Sequence, residues 1–220
     1  VSLVAFTMHR MRPRFGGPLA AWLMKPIATH ESLNLRTYVR HRGEPGIYFL
    51  AEWLANRWAV HLGPRTFGLP YRFGRLQYQH SHEPGELRGT ASSPAGSPRL
   101  SYTGAIRPPA EFEPSAAGTL DEFLLERYTA FTKRGQTERF FRIWHPPWAQ
   151  CRFDASIHEN NLLAAEWPWL ASAPLVGANY SPGVEQVWMG WPHEVGKQER
   201  SVRSPCRKSA GQLRPGSASS

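Results

Sequence analysis

Residues 31–53 constrain the fold more than any other stretch. From Glu31 to Arg40 the chain alternates: Leu33, Leu35, Thr37 and Val39 share one face, and Asn34, Arg36, Tyr38 and Arg40 share the other. That period of two belongs to a strand with one buried face. Arg42-Gly-Glu-Pro-Gly46 carries turn residues, and such clusters punctuate a chain between regular segments. Ile47-Tyr-Phe-Leu-Ala-Glu-Trp53 is apolar on both faces, as a strand in the middle of a sheet is. The stretch predicts a β-hairpin whose second strand is central.

The remainder repeats the theme of short strands between turns. Val1 to Arg12 reads as a strand, and residues 14–26 as a Gly/Pro-bounded connector with one helical turn over Leu19 to Leu23. Leu54, Trp58 and Leu62 recur every four residues, giving a short helix that Gly63-Pro64 should stop. Strands follow over Arg72 to His80, Glu86 to Ala91, Leu100 to Ile106, Glu138 to Trp144 and Gln150 to Ile157. Leu120 to Phe131 reads as the clearest helix, with Thr119 as N-cap and Glu122 completing a capping box. Its stripe of Leu120, Phe123, Leu124, Tyr128 and Phe131 would pack on the core. Asn161 to Ala165 reads as one helical turn, and Pro174 to Met189 as a last hairpin around Ser181-Pro-Gly183. About nine strands and two or three short helices imply a mainly β (α+β) domain with a largely antiparallel sheet, one long enough to curl or close.

At 220 residues the chain is long enough for one sizeable core. No apolar run approaches the roughly 18 residues of a membrane span. The first residues already read as a strand, so the expected domain, 1–195, starts partway through its fold. The net charge is +9, but Gly196 to Ser220 holds six Lys/Arg against one Glu in a Ser/Gly/Pro-rich setting. That places over half the excess in a basic, disordered tail, which gives diffuse attraction to polyanions rather than recognition. No nucleic-acid signature sharpens it. Cys151 and Cys206 do not make a disulfide framework and suit free thiols in a reducing cytoplasm.

Five segments resemble the YqjF-like family of uncharacterised conserved proteins: Glu31-Ser-Leu-Asn-Leu-Arg-Thr-Tyr-Val39, Pro45-Gly-Ile-Tyr-Phe49, Phe67-Gly-Leu-Pro-Tyr71, Thr119-Leu-Asp-Glu-Phe-Leu-Leu-Glu-Arg-Tyr128 and His145-Pro-Pro-Trp148. The order and spacing hold over roughly residues 1–192, without the family's usual opening strand and helix. That family is similar in fold to acetoacetate decarboxylase, which implies an antiparallel β-cone or barrel around a central cavity. The decarboxylase uses an upstream glutamate and, after a proline, two lysines, the first of which forms a Schiff base. Laid on this chain, Glu31 matches the glutamate and Pro70-Tyr71-Arg72 matches the proline-lysine-lysine.

The departure decides the chemistry the resemblance implies. A Schiff base needs an uncharged amine, which Tyr71 lacks, and Arg72 does not deprotonate. Lys25, in the connector, and Lys133, expected at a helix end, do not follow the motif proline. Glu31 begins the apolar face of its strand, where a carboxylate has a raised pKa or needs a partner such as Arg72; solvent at the strand end is the ordinary alternative. Arg72 could clamp a carboxylate. Arg36 and Tyr38 are candidate ligand contacts on a face that would otherwise meet water, and Glu52 interrupts an apolar run, where it would bind ligand or pair with an arginine. His80 and His82 have metal-compatible spacing but no third ligand nearby, so no metal and no cofactor are expected.

These residues support two readings. One is a binding protein for a small apolar or carboxylate-bearing metabolite, partnered by neither a specific nucleic acid nor a membrane, with a homo-oligomer as an option. The other is an acid–base enzyme on a keto or enol acid, with Glu31 as base and Tyr71 as acid.

Overall fold

The hairpin forms as its alternation dictates. In the computed structural model, which describes residues 1–8 and 29–196 apart from 82, 84, 108 and 186, strand β2 (His30–His41) turns into β3 (Glu44–Leu54). Their antiparallel register runs from Ser32↔Leu54 to His41↔Glu44. Strand β1 (Ser2–Met8) flanks β2, with Ser2 opposite Arg36 and Met8 opposite His30. The end of the predicted first strand, the connector, His82 and the basic tail beyond residue 196 lie outside the described residues.

After β3 come helix α1 (Arg57–Thr66) and strands β4 (Tyr71–Phe73), β5 (Arg75–His80), β6 (Glu86–Ser92), β7 (Arg99–Ala105) and β8 (Glu113–Pro114). Helix α2 (Leu120–Leu125) leads into β9 (Thr129–Arg134), β10 (Thr137–Trp144), β11 (Ala149–Arg152) and β12 (Asp154–Asn160). A helical turn α3 (Asn161–Ala164), a 3-10 turn (Pro168–Ala171) and the two-residue strands β13 (Asn179–Tyr180), β14 (Trp188–Met189) and β15 (His193–Glu194) complete the described chain. The main sheet has eight strands in the order β1-β2-β3-β9-β10-β14, with β4 on β3 and β15 on β10. A second sheet orders β12-β7-β6-β5 and a third β13-β11-β8. The whole is a mainly β, curled half-barrel with few, short helices. No helix among the described residues is long and apolar enough to cross a membrane.

Pairing is antiparallel except around β3, which runs parallel to both β4 and β9. Parallel neighbours need a crossover: α1 supplies the one to β4, and the chain from β4 to α2 the one to β9. Two cores lie on opposite faces of the main sheet. Leu33, Leu35, Ala51 and Trp53 pack with Leu76, Ala91 and Leu100 of the second sheet and with Leu162 and Leu163 of α3. Ile47, Phe49, Leu69, Ala130 and Phe141 form the other. Full burial of each leucine, isoleucine or phenylalanine among them is worth about 1.5–3 kcal/mol.

Several expectations fail for identifiable reasons. The helix expected to Phe131 ends at Leu125, and Leu120 and Phe123 of its stripe are exposed. Thr129 to Arg134 pair instead with β3 and β10, burying Thr129 and Ala130; β-branched and aromatic residues suit that surface. Helix α1 runs through Gly63-Pro64 to Thr66, whose hydroxyl caps the carbonyls of Leu62 (3.0 Å) and Gly63 (3.3 Å). Its buried residues are Ala59 and Gly63, while Trp58 and Leu62 face outward. Gly74 divides the strand expected over Arg72 to His80 between two sheets, and Phe153 divides Gln150 to Ile157 likewise. The last hairpin does not form: β13 pairs with β11, and β14 with β10.

Candidate functional site

A bulge in β3 organises the site. Leu35 pairs with Ala51 but the next residue, Arg36, pairs with Phe49, so Leu50 is extra. A bulge restarts the alternation and re-aims side chains. Ala51, Leu50 and Trp53 therefore serve the core shared with the second sheet. Phe49 and Ile47 turn to the opposite face, which also carries Glu52 and Leu54.

On that opposite face three strands bring polar groups together. Asn34 lies directly across from Glu52, and Glu52 is in register with Tyr71 on β4. Asn34 is 6% exposed and Glu52 7%. Burial pushes the Glu52 carboxyl up to about 8, and the hydrogen bond from Asn34 and the nearby Arg36 charge only partly oppose it. Burial, and then the neighbouring Glu52, pushes the Tyr71 phenol well above its ordinary value. Tyr71 is held by packing: its ring contacts Leu54 and Ala59 and lies so close to Gly63 that a Cβ there would overlap it. Asn34 Oδ1, Glu52 Oε2 and Arg36 Nε are buried and have no hydrogen-bond partner. Each such group costs about 1–3 kcal/mol, and the three lie on one face of the sheet.

The sequence pairs Glu31 with Tyr71, but the fold does not. Glu31 has the parity of Leu33 and Leu35, and its charge is felt by Tyr78 on the second sheet. Tyr71 is on the other side of the main sheet. Arg72 also points away from Tyr71. Its guanidinium pairs bidentately with Glu166 and stacks over Trp53 (5.4 Å) and Trp167 (5.6 Å). Arg36 and Tyr38 are not on a solvated face. Both donate to the Leu124 carbonyl, at 2.8 and 3.0 Å, tying α2 to the sheet, and Tyr38 OH also bonds Ser2 Oγ at 2.7 Å. Of the predicted residues, Arg36, Glu52 and Tyr71 converge. Asn34 was missed, although the hairpin register places it opposite Glu52.

A cleft adjoins this cluster. Along the edge of β3 away from β2, β9 pairs only Ile47 and Tyr48, and β4 pairs only Glu52 to Leu54. Between them opens a cavity of about 550 Å³, floored by Phe49, Leu50, Leu69 and Pro70. Pro70 touches both features, since its carbonyl accepts the Glu52 N–H at 3.2 Å. Lys133 lies at the end of β9, not at a helix end, and lines this cleft with Arg134. A second cavity of about 500 Å³ lies by Cys151, Arg107 and Glu111. Cys151 is a free thiol in β11. His80 Nε2 engages Tyr102 OH at 2.8 Å, and no cluster of three metal-ligating side chains occurs among the described residues.

The chain is similar to known proteins over most of its length. Residues 1–185 match the DUF2071 family, whose description is "uncharacterized conserved protein". Uncharacterized protein YqjF of Bacillus subtilis (strain 168) is 30% identical over 166 residues, covering 75% of this chain and 65% of that protein. The chain thus spans just under two thirds of that relative's length. An acetoacetate decarboxylase structure is similar with a TM-score of 0.53 at 12% identity, covering 76% of this chain and 69% of that one. The enduracididine biosynthesis enzyme MppR, with HEPES buffer bound, gives 0.53 at 13% identity, covering 82% and 70%. An acetoacetate decarboxylase-like enzyme from Sphingomonas wittichii RW1 gives 0.52 at 15% identity, covering 79% and 70%. The fold is acetoacetate decarboxylase-like.

Proposed function

The chain belongs to the DUF2071 family of uncharacterised conserved proteins, and on that premise we propose that it binds a small apolar or carboxylate-bearing metabolite without forming a Schiff base. The observation that carries this reading is the buried set of Asn34 Oδ1, Glu52 Oε2 and Arg36 Nε, unpartnered on one sheet face beside Tyr71. Arg36 Nε–H suits an anionic oxygen. Glu52, largely protonated at neutral pH because its carboxyl is pushed up to about 8, can donate a hydrogen bond to the same ligand. Tyr71 offers a phenol where the related chemistry would need an amine. The free thiol of Cys151 suits a cytoplasmic setting.

Acid–base turnover of a keto or enol acid is the second reading, favoured by the position of Glu52 next to Tyr71. In it Glu52, rather than Glu31, exchanges the proton.

Calorimetric titration with short keto and hydroxy carboxylates, on the wild type and Glu52→Gln, tests the proposal. Binding by the wild type that falls about ten-fold or more in the variant is expected, with no borohydride-trapped adduct. Unchanged affinity in Glu52→Gln, or a stable lysine adduct, would overturn it. Turnover that disappears in the variant while binding persists would favour the second reading.

A further inference from the structure

The cleft at the open edge of β3 has a chemistry of its own. Its floor is apolar: Phe49, Leu50, Leu69 and Pro70. Its rim carries Lys133 and Arg134, both exposed, and no acidic side chain lines it. Glu138 lies opposite Lys133 in the β9–β10 register, yet neither rim cation has an ion-pair partner among the described residues. The contrast with Arg72, Arg142 and Arg152, each held by a carboxylate, makes these two cations available to a ligand. The walls are fixed. Thr132 Oγ1 donates to the Phe67 carbonyl at 2.8 Å, and Gly68, at φ +74°, sits against the Lys133 backbone. The volume of about 550 Å³ is that of a site for a small organic molecule. None of Asn34, Arg36, Glu52 or Tyr71 lines it.

We propose that this cleft is a second binding site, for an amphipathic carboxylate whose apolar body lies on Phe49, Leu50, Leu69 and Pro70 and whose charged end meets Lys133 and Arg134. An apolar floor excludes a compact polyanion, which would leave its charge undersolvated there. A cationic rim favours the carboxylate over its neutral analogue, and the preference weakens as salt screens it. The site stands independently of the buried cluster, because a floor and rim of this kind need nothing from Glu52.

Octanoate and octanamide serve as matched probes, followed by calorimetry or by the fluorescence of Trp167, which lines the cleft. In the wild type at low salt, octanoate is expected to bind about five-fold or more tighter than octanamide, a preference in line with two exposed charge pairs. The double variant Lys133→Glu/Arg134→Glu changes only exposed positions and should abolish that preference, with circular dichroism verifying the fold. A short keto carboxylate, which has no apolar body to lie on the cleft floor, should not displace bound octanoate. Equal binding of the two probes, or octanoate affinity untouched by the double variant, would overturn the proposal. Displacement of octanoate by the short keto carboxylate would overturn the separateness of the site while leaving the first proposal standing.

Discussion

Glu52 is a carboxyl held in conditions that favour its proton. Its folded-state value of about 8 lies above the 4.5 of an unperturbed glutamate. The folded state therefore holds this proton over a pH range where the unfolded chain releases it. The resulting stabilisation is complete below about pH 4.5 and is lost as pH rises through about 8. Glu52→Gln keeps the size and a partner for Asn34 but removes the titration. Relative to the wild type, the variant should gain stability with rising pH, by on the order of a few kcal/mol between pH 5 and pH 9. Urea melts at those two values check this, and parallel pH curves for the two proteins would contradict it. The signal for Glu52 was readable beforehand as a charge inside Ile47 to Trp53. Its partner was not, because Asn34 shares a strand face with Arg36, Tyr38 and Arg40, a pattern that reads as solvated. The covering layer, α2, comes from residues about 90 positions later.

Helix α1 exists to seat Tyr71. Gly63 is the point of contact, and a Cβ there would overlap the ring. Helix propensity alone favours alanine by about 1 kcal/mol, whereas overpacking costs about 1–3 kcal/mol. The ring is hemmed in by Leu54 and Ala59, so the second effect should win. Gly63→Ala is expected to destabilise by about 1–2 kcal/mol, and combining it with Tyr71→Leu should remove most of that added loss. Thermal melts of the four proteins in this cycle decide it; an alanine variant more stable than the wild type would show the ring free to shift.

The elements divide by how local their causes are. The hairpin β2–β3, the capped start of α2 and the turn α3 were readable, since alternation and cap chemistry act within a few residues. Thr119 does receive the Glu122 N–H at 3.2 Å, while the Glu122 carboxylate accepts from Gly118 N–H at 2.6 Å. The conversion of Thr129 to Phe131 from helix to strand was not readable, because pairing with β3 and β10 supplies the deciding interactions. The bulge at Leu50, which decides which face Phe49 serves, has no turn residue or glycine to announce it. For the same reason the pairing of Glu31 with Tyr71 could not be excluded from spacing: both lie on strands, and only the register assigns them to opposite sides.

Across the molecule, the two large sheets are fastened by packing more than by charge. Arg72, on β4, bridges to Glu166, just beyond α3, and lies over Trp53 and Trp167. The two charged side chains are 34% and 45% exposed, so their coupling should be at most about 1 kcal/mol. An Arg72→Ala/Glu166→Ala double-mutant cycle should show that small value at low salt and less in 1 M salt, with Arg72→Ala alone costing more through the lost aromatic stacking. A coupling of several kcal/mol, insensitive to salt, would mean that the pair is effectively dry.

The parallel neighbours of β3 also bear on how the protein is made. A ribosome completes β3 and β4 long before it reaches Thr129, and Ile47 and Tyr48 have only β2 beside them until β9 arrives. An unpaired central strand invites other chains, and contacts between residues so distant in sequence close slowly. The nascent polypeptide therefore carries an unpaired apolar strand from the completion of Leu54 until Thr129 has been made, an interval in which chaperone shielding would protect it.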